Sequence, residues 1–301
     1  MSKQKIILDT DPGVDDAICL ALTCAYDDLL ELLAVTTIGG NNYTSVTTQN
    51  ALNLLAFFNK PDIPVYYGED QYLKRPFDPP VAQFHGANGL ADYQLPTSTK
   101  VKGELKASEA IYQLCKANPK EVIVITVGPM TNLAKALLDH PDLGSLIKKV
   151  VVMGGGINCG NITPYAEANV GHDAEAADIV FSSGLPVDMI GLNTTRQCPL
   201  PLAYFEELAK TMRLDIADFI KALIIFRKGE PMHDAIAMAT LIDDSFVQWQ
   251  TGQISIELTD ELRKGETICI ADKEGHHRAS TIADPEAFLK IFQRVGSHYH
   301  S

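Results

Sequence analysis

Two hydrophobic rhythms trade places along this chain, and that exchange constrains its fold more than any other feature. "KIILD", "LELLAVTTIGG", "IPVYYG", "EVIVITVGP", "IKKVVVMGGG" and "PVDMIGLN" are short apolar runs that read as strands. Between them, "VDDAICLALTCAYD", "SVTTQNALNLLAFFN", "SEAIYQLCKANP", "MTNLAKALLDHP" and "AEAADIVFSSG" space their apolar residues as helices do. A strand that is apolar on both faces must be covered on both faces. A βαβα order achieves this with a parallel sheet between two helical layers. The expected fold is therefore α/β: one domain over residues 1–301, with a mostly parallel, Rossmann-like open sheet flanked by helices. Residues 201–242 read as mostly helical, the stretch after Gly252 as shorter strands, and residues 284–294 as a last helix.

In open α/β sheets, ligands bind beyond the carboxyl ends of the strands. Here those ends carry "DTDPG" (residues 9–13), "IGGNN" (38–42, with Asn41), "TVGPMTN" (126–132), "MGGGINCGN" (153–161) and "LNTT" (192–195). The first of them is the most charged. Asp9, Asp11, Asp15 and Asp16 crowd around Pro12-Gly13, a pair that turns the chain so that acids on both sides converge. Acids in a first helical turn offset the helix dipole, which accounts for Asp15 or Asp16 but not for Asp9 and Asp11, which precede the proline. A cation is the natural neutraliser, and all-oxygen ligation suits Ca²⁺ or Mg²⁺ better than Zn²⁺. A second reading keeps Asp9 and Asp11 as the nucleophile and acid of a Mg²⁺ phosphatase.

The chain as a whole is acidic, with formal net charge −13 over 301 residues, which argues against nucleic acid or an anionic membrane as partner. Its six cysteines form neither a C-x-x-C pair nor a disulfide framework, so reduced thiols in a cytoplasmic protein are expected. No apolar run approaches the length of a membrane span, and the start of the chain has no signal-peptide pattern.

Four further stretches carry candidate chemistry. "HGANGL" places His85 in a long loop between glycines, where it could close a mobile lid. "MGGGINCGN" lacks the dinucleotide glycine spacing, and its glycines instead let backbone approach a small ligand. In "TPYAEANVGHDAEAAD", Asp173 reads as a helix N-cap, whereas Glu167 and Asn169 are expected outside the helix. "PMHDAIAMATLID" opens a helix with His233-Asp234. Capping by Asp234 is the plain reading, set against a histidine that could titrate near neutrality and act as an acid.

Taken together, these segments resemble the inosine-uridine-preferring nucleoside hydrolases. Six motifs fall in the family's order: "DTDPGVDD", "HGANG", "GPMTN", "MGGG", "GNITPYAEAN" and "HD". The resemblance implies an N-ribosyl hydrolase that releases free base and ribose from a ribonucleoside. It implies that Asp11, Asp16, Asp234 and the Val127 carbonyl bind Ca²⁺, and that Asp11 also serves as general base. Asp15, Asn161, Glu167 and Asn169 would hold the sugar hydroxyls with Met153 beside the ring, Asn41 and His85 would border the substrate, and Asp9 would support the ligands. His233 is the candidate acid for the leaving base. Base contacts are expected from residues 83–93 and 224–232, with Arg227 and Tyr93 among them. "GLNTTRQ" has asparagine and arginine where the family usually has aspartate and histidine, a difference that bears on the base and not on the metal or ribose groups. A non-catalytic ribonucleoside-binding protein is the remaining alternative, and a homodimer or homotetramer is the expected assembly.

Overall fold

The computed structural model describes residues 2–78, 80 and 82–300. Nine strands form one sheet: β1 (Gln4–Thr10), β2 (Leu30–Thr37), β3 (Val65–Tyr67), β4 (Val122–Thr126), β5 (Lys149–Met153), β6 (Val187–Ile190), β7 (Val247–Ile256), β8 (Thr267–Ala271) and β9 (His277–Ala283). Their order is β3-β2-β1-β4-β5-β6-β9-β7-β8. All pairs from β3 to β9 run parallel, and β7 runs antiparallel to both β9 and β8.

The continuous apolar strands have the cause expected of them. Successive side chains point to opposite faces, so Ile6 and Leu8 join one core with Ile123, Ile125 and Val151. Ile7 joins the other, with Val122, Val124, Val150 and Val152. The helices Val14–Ala25, Leu214–Phe226, His233–Ile242 and Pro285–His298 cover the first face. Those at Ala107–Ala117, Thr131–Asp139 and Ala174–Ser182 cover the second. Among the described residues, no helix is long and apolar enough to cross a membrane.

The C-terminal part differs from expectation in one respect. β7 is a ten-residue strand that begins at Val247, before Gly252. Gly252 lies inside it, where the backbone of Ile270 on β8 passes too closely for a Cβ, so the glycine marks a close strand contact and not the start of a segment.

Strand order reverses between β1 and β4, the two neighbours from which the chain is wound in opposite directions. Such a switch point opens a crevice at the carboxyl ends. Asp9 pairs with Thr126 there, and the next amide on β4's exit, Val127, donates to Asp9 O at 2.8 Å. The "DTDPG" turn and the "TVG" turn thus leave the sheet side by side.

Candidate active site

β1 ends at Thr10, and the chain turns through Asp11, Pro12 and Gly13 into the helix at Val14. Asp16 holds this turn shut. Its carboxylate accepts from Gly13 N (2.9 Å), Asp11 N (3.2 Å), Asn41 Nδ2 (3.0 Å) and the Thr10 hydroxyl. Asp11 is buried with one oxygen accepting from Asn41 N at 2.7 Å, while Oδ1 has no partner. A Cβ on Gly40 or on Gly128 would strike that carboxylate, so both glycines are what lets the loops after β2 and β4 close around it. Asp9 lies deeper, fully buried, and accepts from Thr36 Oγ1 (2.6 Å) and Asn132 Nδ2 (2.8 Å). That position argues against the phosphatase reading's nucleophile, because Asp9 is held by Thr36 and Asn132 beneath the turn that carries Asp11.

The cavity beyond this turn measures about 540 Å³, a size suited to a small organic ligand. It brings together Asp15, Asn41, His85, Val127, Met153, Asn161, Glu167, Asn169, His233 and Asp234. Asp11 and Asp16 lie just behind its wall. Its floor is buried (Asp15, Val127, Met153, Glu167, Asp234), whereas its rim is formed by the half-buried His85, Arg227 and His233, with Phe84, Ile162, Arg196 and Glu230 exposed at the outer edge. Tyr93 does not line it and packs instead against Phe219, with ring centroids 5.1 Å apart. The lone tryptophan, Trp249, sits on β7 under Arg278 and is likewise elsewhere.

Several local expectations need refinement. Glu167 and Asn169 do lie outside the helix that Asp173 caps, Ala174–Ser182, but Glu167 has a capping role of its own: it is the N-cap of a five-residue helix, Ala168–His172, which contains Asn169. Glu167 Oε2 accepts from Val170 N (3.2 Å) and from Gly155 N (2.9 Å), so the cap also pins the glycine turn after β5. Asp173 caps the next helix as expected, accepting from Ala176 N at 3.2 Å. Asp234 caps nothing. Met232 is the N-cap of its helix, which leaves the Asp234 carboxylate free to face the cavity. His85 ends a short helix, Ala82–His85, in place of an open loop.

Asn169 ties two strand ends together, its Nδ2 donating to Val127 O and to Met153 O, each at 3.0 Å. The Val127 carbonyl therefore faces the site, and its second lone pair remains usable. Oxygens of Asp15, Asp16 and Asp234 come within 4.8 Å of one another. Asp11 stands outside that closest group, but its buried, orphaned Oδ1 points to a missing positive partner.

The electrostatics agree. Burial, then the charge of Asp16, pushes Asp11 well above the usual carboxylate range, and burial with Asp15 and Asp16 does the same to Asp234. Burial raises Asp16 to about 6 and Glu167 to about 7. Such carboxylates are costly to ionise together without a cation. The donor set is all oxygen, with no Cys or His in the group, and fits a hard divalent ion.

Asp15 is the exception. Burial alone would raise it, but His85, Arg227 and His233 outweigh burial and hold it below its usual value. His85 Nδ1 lies 3.9 Å from Asp15 Oδ1, yet that nitrogen accepts from Val14 N at 3.1 Å. The imidazole is therefore neutral with its proton on Nε2, in keeping with burial pushing it down to about 4. Burial likewise pushes His233 down to about 4. The expectation that it titrates near neutrality is thus not met, for the physical reason that it is desolvated. Its Nδ1 lies 2.7 Å from Thr195 Oγ1. The sequence marks "LNTT" only as a strand end near the site, and nothing in it signals that Thr195 meets His233 across 38 residues.

Known proteins resemble this chain over nearly its whole length. The inosine-uridine preferring nucleoside hydrolase family model matches residues 6–290. The pyrimidine-specific ribonucleoside hydrolase RihA of Shewanella sp. (strain ANA-3) is 36% identical over 274 residues, covering 87% of this chain and 85% of that protein. Uridine nucleosidase 1 of Arabidopsis thaliana is 35% identical over 276 residues, 88% and 81% of the two chains. Among solved structures, a purine-preferring ribonucleoside hydrolase from Gardnerella vaginalis superposes with TM-score 0.91 at 28% identity, over 98% of this chain and 99% of that one. The relatives and the structural neighbour are ribonucleoside hydrolases, so the class is that of enzymes acting on N-glycosidic bonds. The chain belongs to the inosine-uridine preferring nucleoside hydrolase family, whose members cleave N-glycosidic bonds.

Proposed function

We propose that this protein hydrolyses ribonucleosides to ribose and free base in a Ca²⁺-dependent reaction of nucleoside salvage or catabolism. Uridine is the first substrate to try, since the relatives at 35–36% identity are named for pyrimidine nucleosides and uridine. The observation that carries the reading is the meeting of the Asp15 and Asp234 carboxylates with Glu167 and Asn169 at one cavity, with Asp16 within 4.8 Å of Asp15 and Asp234 and Asp11 buried just behind the wall.

Asp11, Asp16, Asp234 and the Val127 carbonyl would hold the ion. When bound, calcium acidifies a water and engages the ribose diol. Asp11 is the general base: its buried Oδ1 is unpartnered and its affinity for a proton is raised, so it can take one from the attacking water. Asp15, ionised, accepts from a sugar hydroxyl. Asn161, Glu167 and Asn169 hold the remaining hydroxyls, and Met153 packs beside the ring. These acids also stabilise the positive charge that develops on the sugar as the bond breaks. His85 covers the turn at Gly13. His233, which lines the cavity with Nδ1 beside the Thr195 hydroxyl, is the candidate acid: as imidazolium it would pass its Nε2 proton to the leaving base as negative charge accumulates there, and return to neutral imidazole.

The six free cysteines support a cytoplasmic location. A homodimer or homotetramer is the proposed assembly, to be read by sedimentation. The function itself is tested by incubating the protein with uridine and with inosine in phosphate-free buffer. Stoichiometric free ribose supports it, and binding without ribose release would favour the non-catalytic module.

A further inference from the structure

Seven arginines occur in the chain, and six of them have protein partners. Five pair with carboxylates, and Arg196 donates to Gly160 O at 2.9 Å. Among the described residues Arg227 has no such partner, and its Nε is buried without one. An arginine left in this state is costly unless a ligand completes it.

Its backbone is nevertheless firmly placed. Arg227 closes the helix Leu214–Phe226, where Lys228 N donates to Ile225 O and Gly229 N to Ile224 O, both at 3.0 Å. Lys228 and Gly229 take φ values of 55° and 72°, the left-handed pair that turns the chain out of the helix. Residues 227–232 then lead directly to His233. The guanidinium lines the same cavity as His233, and its charge is felt at Asp15, His85 and His233.

Resting on the hydrolase reading, we propose that Arg227 is a catalytic residue of the bond-breaking step. Its guanidinium donates to a carbonyl oxygen of the base and holds the negative charge that the base acquires on leaving. As the C1′–N bond breaks, its electron pair goes to the base nitrogen, and the water oxygen bonds to C1′. Asp11 takes one water proton, and a proton reaches the base through His233 or solvent, so that ribose and neutral base are the products and nothing is oxidised or reduced. The base is uncharged in the ground state, so a fixed cation beside it acts chiefly in the transition state and therefore on kcat. A guanidinium has only donors, and a base that turns a carbonyl oxygen toward it suits it better than one that turns an amino group. His233 and Arg227 thus divide the work: one moves a proton and the other holds charge without giving one up.

The test compares uridine with 5-fluorouridine, whose base leaves more readily, using wild type, Arg227→Met and Arg227→Lys. Arg227→Met should lower kcat for uridine by about 10²-fold, and that for 5-fluorouridine by clearly less. Arg227→Lys should recover part of the loss, and free guanidinium ion should partly rescue Arg227→Ala. A kcat for Arg227→Met close to wild type with a raised KM, or equal losses on both substrates with no rescue, would overturn the proposal. Failure of wild type itself to release ribose would instead overturn the hydrolase reading beneath it.

Discussion

The floor and the rim of the cleft are built by different means. On the floor, the groups come from strand ends and the turns that follow them, and they are bonded to one another. Asp16 closes the Asp11–Gly13 turn, Glu167 pins Gly155, and Asn169 joins the exits of β4 and β5. On the rim, His85 ends a four-residue helix, His233 follows a loop, and Arg227 has no partner among the described residues. The floor is therefore preorganised for one ligand part, and the rim can be relined without disturbing it. That arrangement suits a family in which one fold carries relatives named for pyrimidine-specific and for purine-preferring hydrolysis.

The sharpest way to break this division is to strike the floor. Asp11→Ala removes base and ligand oxygen together and should cut kcat for uridine by more than ~10⁴-fold, the upper range of general-base effects. A near-native kcat would show that the floor is not where the chemistry occurs. Next in size is the sugar itself. If Asp15 and the cation hold the 2′-hydroxyl, 2′-deoxyuridine should lose up to ~10⁴-fold in kcat/KM, because a site built to bond a hydroxyl rejects the analogue lacking it. Equal values for the two nucleosides would contradict the clamp.

The rim should respond to the leaving group and not to the sugar. His233→Ala should slow inosine or uridine hydrolysis by about 10²–10⁴-fold and spare p-nitrophenyl riboside, whose leaving group departs without a proton. An equal loss on both would reject His233 as the acid.

The smallest expected effect is on stability. Burial pushes Asp9 and Glu167 up to about 7 and Asp16 up to about 6, against roughly 4 in an unfolded chain. Protonated, they favour the folded state; that contribution is complete below about pH 4 and is lost as pH rises through 6 to 7. The metal-free protein should therefore melt about 3 °C or more lower at pH 8 than at pH 5.5. Ca²⁺ should raise the pH 8 value most, because a cation favours ionised carboxylates. A metal-free melting temperature that climbs from pH 5.5 to pH 8 would mean these acids are already neutralised in some other way.

Legibility in the sequence follows the same division. The floor was largely readable because a strand end, a Pro-Gly turn and a helix start fix where Asp11, Asp15 and Asp16 go. The parallel sheet follows from the same local rules, whereas a supporting place for Asp9 came only with the family resemblance. The capping role of Glu167 was not legible because a five-residue helix containing Gly171 leaves no periodic trace. The capping role expected of Asp234 failed because the helix begins two residues earlier, with Met232 as its cap, a boundary that propensity does not fix. The contacts of the rim join distant segments, such as Thr195 with His233 and Val14 with His85. Tyr93 illustrates the point: it was expected at the base, but its ring turns into the core against Phe219.

The account stands on the carboxylate floor acting with a bound cation. Uridine hydrolysis should therefore be followed in protein stripped with a chelator and then titrated with Ca²⁺. Ribose release should fall to background on stripping and return in full at one Ca²⁺ per chain. Undiminished ribose release from protein that elemental analysis finds free of metal would contradict it.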